Sequence, residues 1–184
     1  MTDATPVAQP APRTVVVMGV SGSGKTTVGE LLARRLGVVY AEADAFHPAS
    51  NVAKMAAGVP LTDADRLPWL QAIAAWIGEQ EQAGREAVVS CSALKRSYRD
   101  LLRDGHPGVW FLHLAGPEPV IAERISGRHG HFMPASLLDS QYADLQPLQP
   151  DEPGTTIDVT TAAEQVVDQA LQALGNTRRE DRGA

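Results

Sequence analysis

The residues best suited to chemistry stand near the N-terminus, in the stretch GVSGSGKTT. Gly19, Gly24, Lys25 and Thr26 match the pattern G-x-x-x-x-G-K-[ST], directly after the apolar run TVVVMG. Glycines let the backbone turn tightly and approach phosphate oxygens with no side chain in between. The N–H groups of residues 21–26, backed by a helix N-terminus, would surround the phosphates of a nucleoside triphosphate. Lys25 would then reach the β- and γ-phosphates, and the Thr26 hydroxyl would bind Mg²⁺.

Two acids, Glu42 and Asp44, follow a second apolar run. Alternate residues of a strand share a face, so both carboxylates would lie together at the carboxyl end of this strand. One acid would face Mg²⁺-bound water and the other would orient or deprotonate a substrate hydroxyl. The alternative is a pair of solvated loop acids. His47 follows closely and belongs either to a plain turn or to a substrate site.

The elements that must position these residues alternate along the chain. Strands are expected over 14–19, 38–44, 86–91, 109–116 and 155–160. Helices are expected over 26–37, 50–58, 62–84, 92–105, 118–126, 135–145 and 162–174, with Ser92 as the N-cap of the fourth. Such alternation predicts an α/β fold, in which a parallel sheet has helices on both faces. Ligands of these sheets bind at the carboxyl ends of the strands, where the unusual residues stand.

Composition narrows the class of protein further. The 184 residues suffice for one folded domain, expected over 14–175 between flexible tails at 1–13 and 176–184. A net charge of −6 disfavours broad nucleic-acid binding. No apolar run approaches the roughly 20 residues of a membrane span. The single cysteine, Cys91, excludes an internal disulfide and fits a reducing cytoplasm.

Four sequence blocks together resemble the gluconokinase family of P-loop kinases over roughly residues 14–174. The blocks are MGVSGSGKTTV, DAFHPASNVAKMAAGVPLTDADRLPWLQA, CSALKRSYRDLLR and GHFMPASLLDSQYADLQPL. The resemblance implies a three-layer P-loop NTPase fold of the nucleoside-monophosphate-kinase type, with a five-stranded parallel sheet and a lid at about 126–134. It also implies phosphorylation of D-gluconate at its 6-hydroxyl, with ATP and Mg²⁺, by a cytoplasmic homodimer.

The resemblance also assigns roles to individual residues. It implies catalytic roles for Lys25, Asp44 and Arg128, and a metal site at Thr26 and Glu42. Relatives often have Asp-Gly-Asp where this chain has Glu42-Ala43-Asp44. The implied ATP-binding residues are Gly19, Val20, Ser21, Gly22, Ser23, Gly24, Lys25, Thr26 and Thr27 in the loop, with Arg124 and Arg128 on the lid side.

Gluconate carries a carboxylate and a row of hydroxyls, so its site needs cations and hydrogen-bond donors. The substrate-binding candidates are Asp44, His47, Lys54, Arg66, Lys95 and Arg99. The bidentate grip of arginine on a carboxylate favours Arg66 or Arg99. Two other functions stay open: a kinase of shikimate or another small polyol acid, and a nucleotide-sensing module without a second substrate. Shikimate kinase has a G-G-G segment after its third strand, where this chain has CSAL.

Overall fold

The sheet at the centre of the fold is entirely parallel over the residues that the computed structural model describes, 13–127 and 135–180. Its strands lie in the order β2-β3-β1-β4-β5, with the first strand in the middle. This confirms the expected five-stranded α/β architecture. The strands are β1 (Thr14–Met18), β2 (Val39–Glu42), β3 (Ala87–Ser90), β4 (Val109–Ala115) and β5 (Gly154–Asp158).

Helices cover both faces of this sheet and make two separate cores. Val15 and Val17 of β1 face one core, which the first and last helices help to close. Val16 and Met18 face the other, which the third and fourth helices close. A strand buried on both faces needs a continuous apolar run, as β1 has. The helices are α1 (Lys25–Leu36), α2 (Ala49–Ala56), α3 (Asp63–Gln82), α4 (Arg96–Arg103), α5 (Glu118–Ser126), α6 (Ala135–Asp144) and α7 (Ala163–Glu180).

Most boundaries lie within one or two residues of the sequence-based expectation, and three of the differences change the interpretation of residues assigned above. Strand β2 ends at Glu42, and Ala43–Phe46 form a 3-10 turn. Helix α4 begins at Arg96 with Lys95 as its N-cap, so the prediction of Ser92 as the N-cap was wrong. Residues 92–95 cannot continue a helix because Ala93 has a left-handed φ of 42°. Helix α7 runs to Glu180, so residues 176–180, expected in a tail, are helical.

Helix α3 shows how local sequence fixes an element beside the site. The Thr62 hydroxyl accepts a hydrogen bond from the Asp65 backbone N–H, and the Asp65 carboxylate accepts one from the Thr62 N–H. This reciprocal capping box satisfies two backbone donors and sets the start of the helix. Among the described ranges, no helix is long and apolar enough to cross a membrane.

Candidate active site

The loop between β1 and α1 has the geometry of an anion cradle. Gly22 has a φ of 79°, and a Cβ there would lie 2.5 Å from Cγ1 of Ile125, so a side chain is excluded. Gly24 caps α1 with a φ of 94°, and a Cβ there would meet nothing within 4 Å. The first turn of α1 carries neither a side-chain cap nor an acid. Its N-terminal N–H groups and the helix dipole therefore suit a phosphate group.

The N–H groups of this loop fall into two sets. Ser21 donates to Oε1 of Gln141 at 2.6 Å, and Ser23 donates to the Val20 carbonyl at 3.2 Å. Gly22, Gly24 and Thr26 show no backbone N–H partner within the described chain. Two of the N–H groups from 21 to 26 are thus already hydrogen-bonded within the protein, and phosphate binding by this set stays a prediction.

The side chains of the loop differ in position as well. Lys25 Nζ donates to the Val20 carbonyl at 3.0 Å. The side chains of Val20 and Ser23 are buried beneath the loop, whereas Thr26 and Thr27 are exposed. Gly19 has a φ of 147°, and a Cβ there would lie 2.8 Å from the Leu114 carbonyl. The loop therefore presents mainly backbone to a ligand, together with Lys25 and the two threonines.

The two predicted metal ligands lie in contact. The Thr26 hydroxyl donates to Oε2 of Glu42 at 2.8 Å, and the Tyr40 hydroxyl lies 2.8 Å from the same oxygen. Burial, together with the Glu42 contact, raises the pKa of Tyr40, so its hydroxyl stays protonated. No group of three or more His, Cys, Asp or Glu in the described chain could hold a metal ion. A hydroxyl and one carboxylate fit Mg²⁺, which keeps several waters and shares phosphate oxygens.

Asp44 lies in the 3-10 turn, so the expectation that it shares a strand face with Glu42 was wrong. Ala43 is buried between them, and its carbonyl accepts a hydrogen bond from Nε1 of Trp69 at 2.7 Å. This contact turns the chain out of β2 one residue before Asp44. The Asp44 carboxylate is exposed, with no side-chain hydrogen bond to the described part of the protein. It is therefore open to a substrate hydroxyl.

His47 is held flat against Trp69. The two rings stack with centroids 4.4 Å apart and planes 10° apart, and Nδ1 of His47 lies 3.3 Å from the Asn51 amide. Burial lowers the pKa of His47, the charge of Asp44 raises it and the charge of Arg66 lowers it, with a net decrease. The imidazole is therefore neutral at neutral pH and can donate or accept a hydrogen bond.

The predicted substrate-binding cations differ in whether they already form an ion pair with a carboxylate of the protein. Lys54 contacts the Asp65 carboxylate at 2.7 Å, and Lys95 contacts the Asp63 carboxylate at 3.0 Å. Within the described residues, Arg66 makes no ion pair with a carboxylate; its guanidinium lies 6.0 Å from the centre of the Tyr98 ring. Arg66 is therefore the candidate whose charge is available to a substrate anion.

Arg99 is a structural residue, which corrects its prediction as a substrate ligand. Its side chain is fully buried, with Nε 2.6 Å from Oε1 of Glu152 and Nη2 3.0 Å from Oε2. Its Nη1 donates to the carbonyls of Ala93 and Leu94, both at 3.1 Å. Burial raises the pKa of Glu152, but hydrogen bonds from Arg99 and Gln149 outweigh this and lower it. Arg99 therefore fixes the loop after β3 through its hydrogen bonds to the Ala93 and Leu94 carbonyls.

The lid-side residues are only partly described. Arg124, near the end of α5, donates to the Val159 carbonyl just after β5. It therefore lies at the carboxyl edge of the sheet, with the phosphate loop. Residues 128–134 of the expected lid, including Arg128, lie outside the described residues.

Three neighbours of the site were not among the predicted site residues: Asp63, Tyr98 and Gln141. The Tyr98 hydroxyl donates to Asp63, and Lys95 lies 5.6 Å from the Tyr98 ring centre. Tyr98 lies three residues after Lys95, the N-cap of α4, and this spacing could have indicated that the two side chains meet. No local signal points to Gln141, because its partner Ser21 lies 120 residues away.

A parallel sheet with a G-x-x-x-x-G-K-T loop after its central strand, and an acid-bearing turn beside it, defines a P-loop kinase. A family model described as "AAA domain" matches residues 15–148. The chain is 55% identical over 142 residues to a gluconokinase of Gluconobacter oxydans, covering 77% of this chain and 80% of the relative. A solved gluconokinase from Sinorhizobium meliloti matches with a TM-score of 0.80 and 48% identity, covering 90% and 93% of the two chains.

A shikimate kinase from Aquifex aeolicus shares the fold at a TM-score of 0.57 but only 15% identity, covering 90% and 98% of the two chains. That likeness concerns the fold alone. The chain belongs to the gluconokinase family, as its sequence blocks predicted.

Proposed function

We propose that this chain transfers the γ-phosphoryl group of ATP directly to the 6-hydroxyl of D-gluconate, without a phosphoenzyme. The observation that carries the proposal is that a phosphate loop and an exposed carboxylate lie at the same end of the sheet, where the parallel strands have their carboxyl ends. The phosphate loop follows β1, and the open carboxylate of Asp44 follows β2, next to the stacked His47. The relatives named as gluconokinases support the choice of substrate.

On the nucleotide side, the proposed roles follow from charge. Lys25 and the N-terminal N–H groups of α1 bind the phosphates and stabilise the charge that moves during transfer. Thr26 and Glu42 would hold Mg²⁺, which neutralises charge on the β- and γ-phosphate oxygens when it is bound. Arg128 is proposed to add positive charge from the lid side.

On the acceptor side, Asp44 orients the 6-hydroxyl and accepts its proton as the new bond to phosphorus forms. Arg66 binds the gluconate carboxylate, because its guanidinium lies beside the Tyr98 ring and forms no ion pair with a carboxylate of the described chain. Neutral His47 hydrogen-bonds a sugar hydroxyl. Lys54 and Lys95 line the same acceptor site, where ion pairs with the two acids at the start of α3 hold them in place.

The proposal includes a cytoplasmic location and a homodimer. The single cysteine suits a reducing compartment, and the net charge of −6 speaks against nucleic acid as a partner. Sedimentation analysis of the purified chain tests the dimer.

The test of the function is coupled ADP release with gluconate, shikimate and nucleoside monophosphates as acceptors. We expect turnover with gluconate alone, with ³¹P NMR showing a phosphomonoester at the terminal hydroxyl. Lys25→Ala, prepared identically, should reduce this turnover by several orders of magnitude and so excludes a contaminating kinase. Nucleotide binding without turnover of any acceptor would favour a nucleotide-sensing module instead.

A further inference from the structure

One peptide unit of the phosphate loop is held from two opposite edges. The Val20 carbonyl accepts a hydrogen bond from Lys25 Nζ at 3.0 Å, and the N–H of the same peptide, at Ser21, donates to Gln141 Oε1 at 2.6 Å. In a trans peptide the C=O and N–H groups point in opposite directions. Lys25 and Gln141 therefore form hydrogen bonds to opposite edges of the same peptide plane, that of Val20–Ser21.

This peptide needs such a restraint because glycines flank it. Gly19 and Gly22 have φ values of 147° and 79°, a region in which glycine moves with little steric cost. Rotation of the Val20–Ser21 peptide would move the carbonyl that holds the Lys25 ammonium. An engaged N–H also makes the carbonyl of the same peptide a better acceptor. The Gln141 contact therefore acts on the lysine through the peptide.

The helix that carries Gln141 is itself fixed to the same edge of the sheet. The Tyr142 hydroxyl donates to the Gly116 carbonyl after β4 at 3.0 Å. Just past α6, the Gln146 N–H donates to the Leu94 carbonyl after β3 at 2.8 Å. The end of helix α6 is thus tied to the loops after two strands, and this fixes the position of Gln141.

We propose that Gln141 is a positioning residue for Lys25. By accepting the Ser21 N–H, it fixes the Val20–Ser21 peptide and so sets the place from which the Lys25 ammonium meets the β- and γ-phosphates. The interpretation of Lys25 as the phosphate-binding cation rests on the proposed function. The contact itself is a property of the free enzyme.

The test compares three variants of the full chain. Gln141→Leu removes the acceptor, and Gln141→Glu keeps an acceptor of the same length. Gln146→Leu is the matched control, because Gln146 Oε1 also accepts a backbone N–H, that of Arg96, at 2.6 Å but away from the phosphate loop. Residue-resolved hydrogen exchange reports the Ser21 amide, and ADP titration reports nucleotide binding; both are measured without gluconate. Steady-state kinetics then gives kcat and KM.

In Gln141→Leu we expect faster exchange at Ser21, ADP affinity weakened about threefold to tenfold, and kcat lowered by a similar factor. The KM for gluconate should stay within about twofold of the wild-type value, since the acceptor side is untouched. Gln141→Glu should restore the protection of Ser21, and Gln146→Leu should leave all these quantities unchanged.

Wild-type kcat in Gln141→Leu, or loss of thermal stability alone, would overturn the proposal. Tighter ADP binding in Gln141→Leu would also overturn it, because Gln141 would then compete with phosphate. If gluconate is not the substrate, the exchange and ADP measurements still decide the role of Gln141.

Discussion

At the level of single residues, the candidate cations of the substrate site differ in whether they form an ion pair with a carboxylate of the protein. Lys54 and Lys95 each contact an acid at the start of α3, at 2.7 Å and 3.0 Å. Arg66, on the first turns of the same helix, makes no ion pair with a carboxylate of the described residues, and its guanidinium lies 6.0 Å from the centre of the Tyr98 ring. A guanidinium in this state is prepared for bidentate contact with a carboxylate.

Replacing Arg66 by methionine should therefore weaken gluconate binding. Loss of a charged hydrogen-bonding partner corresponds to an increase of about tenfold to a hundredfold in the KM for gluconate. The KM for ATP should change little. Arg96→Met is the control, because Arg96 pairs with Asp100 and Asp151 on α4 and near β5 instead. Equal effects of the two substitutions would remove Arg66 from the substrate site.

Asp44→Asn tests the proposed base. The amide keeps the shape of the side chain but cannot accept the proton, so kcat should fall by roughly 10²–10⁴ while ADP affinity remains. Glu42→Gln, two residues earlier, should instead weaken the binding of Mg·ATP. A change confined to Mg·ATP affinity in Asp44→Asn would exchange the roles of the two acids.

At the level of elements, the start of α4 depends on a buried ion pair far along the chain. Arg99 and Glu152 lie 53 residues apart, and both side chains are almost fully buried. The guanidinium also satisfies the carbonyls around Ala93, whose φ of 42° only a well-held backbone sustains. The pair thereby fixes the loop that leads to Lys95.

Arg99→Met should therefore destabilise the fold strongly, because it leaves Glu152 buried without its partner. We expect a loss of about 3–5 kcal/mol in the free energy of unfolding, measured by urea denaturation. Arg35→Ala breaks the exposed pair of Arg35 with Asp168 and should cost at most about 1 kcal/mol. If the two substitutions cost the same, the buried pair does not support the loop.

The same elements show where sequence-based prediction succeeds and where it fails. The bounds of α5 were predicted to the residue, because its apolar spacing and the adjoining Pro117 and Gly127 are local signals. The start of α4 and the turn at Asp44 were not, because each depends on a distant partner. Arg99 looked like a ligand in the sequence, since nothing near it in the chain shows that Glu152 will neutralise it.

At the level of the whole molecule, nucleotide binding should stabilise the fold. A ligand present at about 100 times its Kd adds roughly 2.7 kcal/mol to the free energy of unfolding. For a chain of this size, that corresponds to a rise of about 5–11 °C in Tm. Differential scanning fluorimetry with Mg·ADP measures the rise, and Lys25→Ala should lose most of it. An unchanged Tm in the wild-type protein at saturating Mg·ADP would contradict nucleotide binding to the native state.

The place of β1 in the sheet also governs when this site can form during synthesis. The strand that leads into the phosphate loop leaves the ribosome before β3 and β4, yet these are the two strands with which it pairs. Thr14 lies opposite Ala87 on one side and Val109 on the other. During synthesis, β1 therefore stays unpaired, with apolar side chains on both faces, until β3 and β4 have emerged. We expect a nascent chain of this topology to bind chaperones before the active site can form.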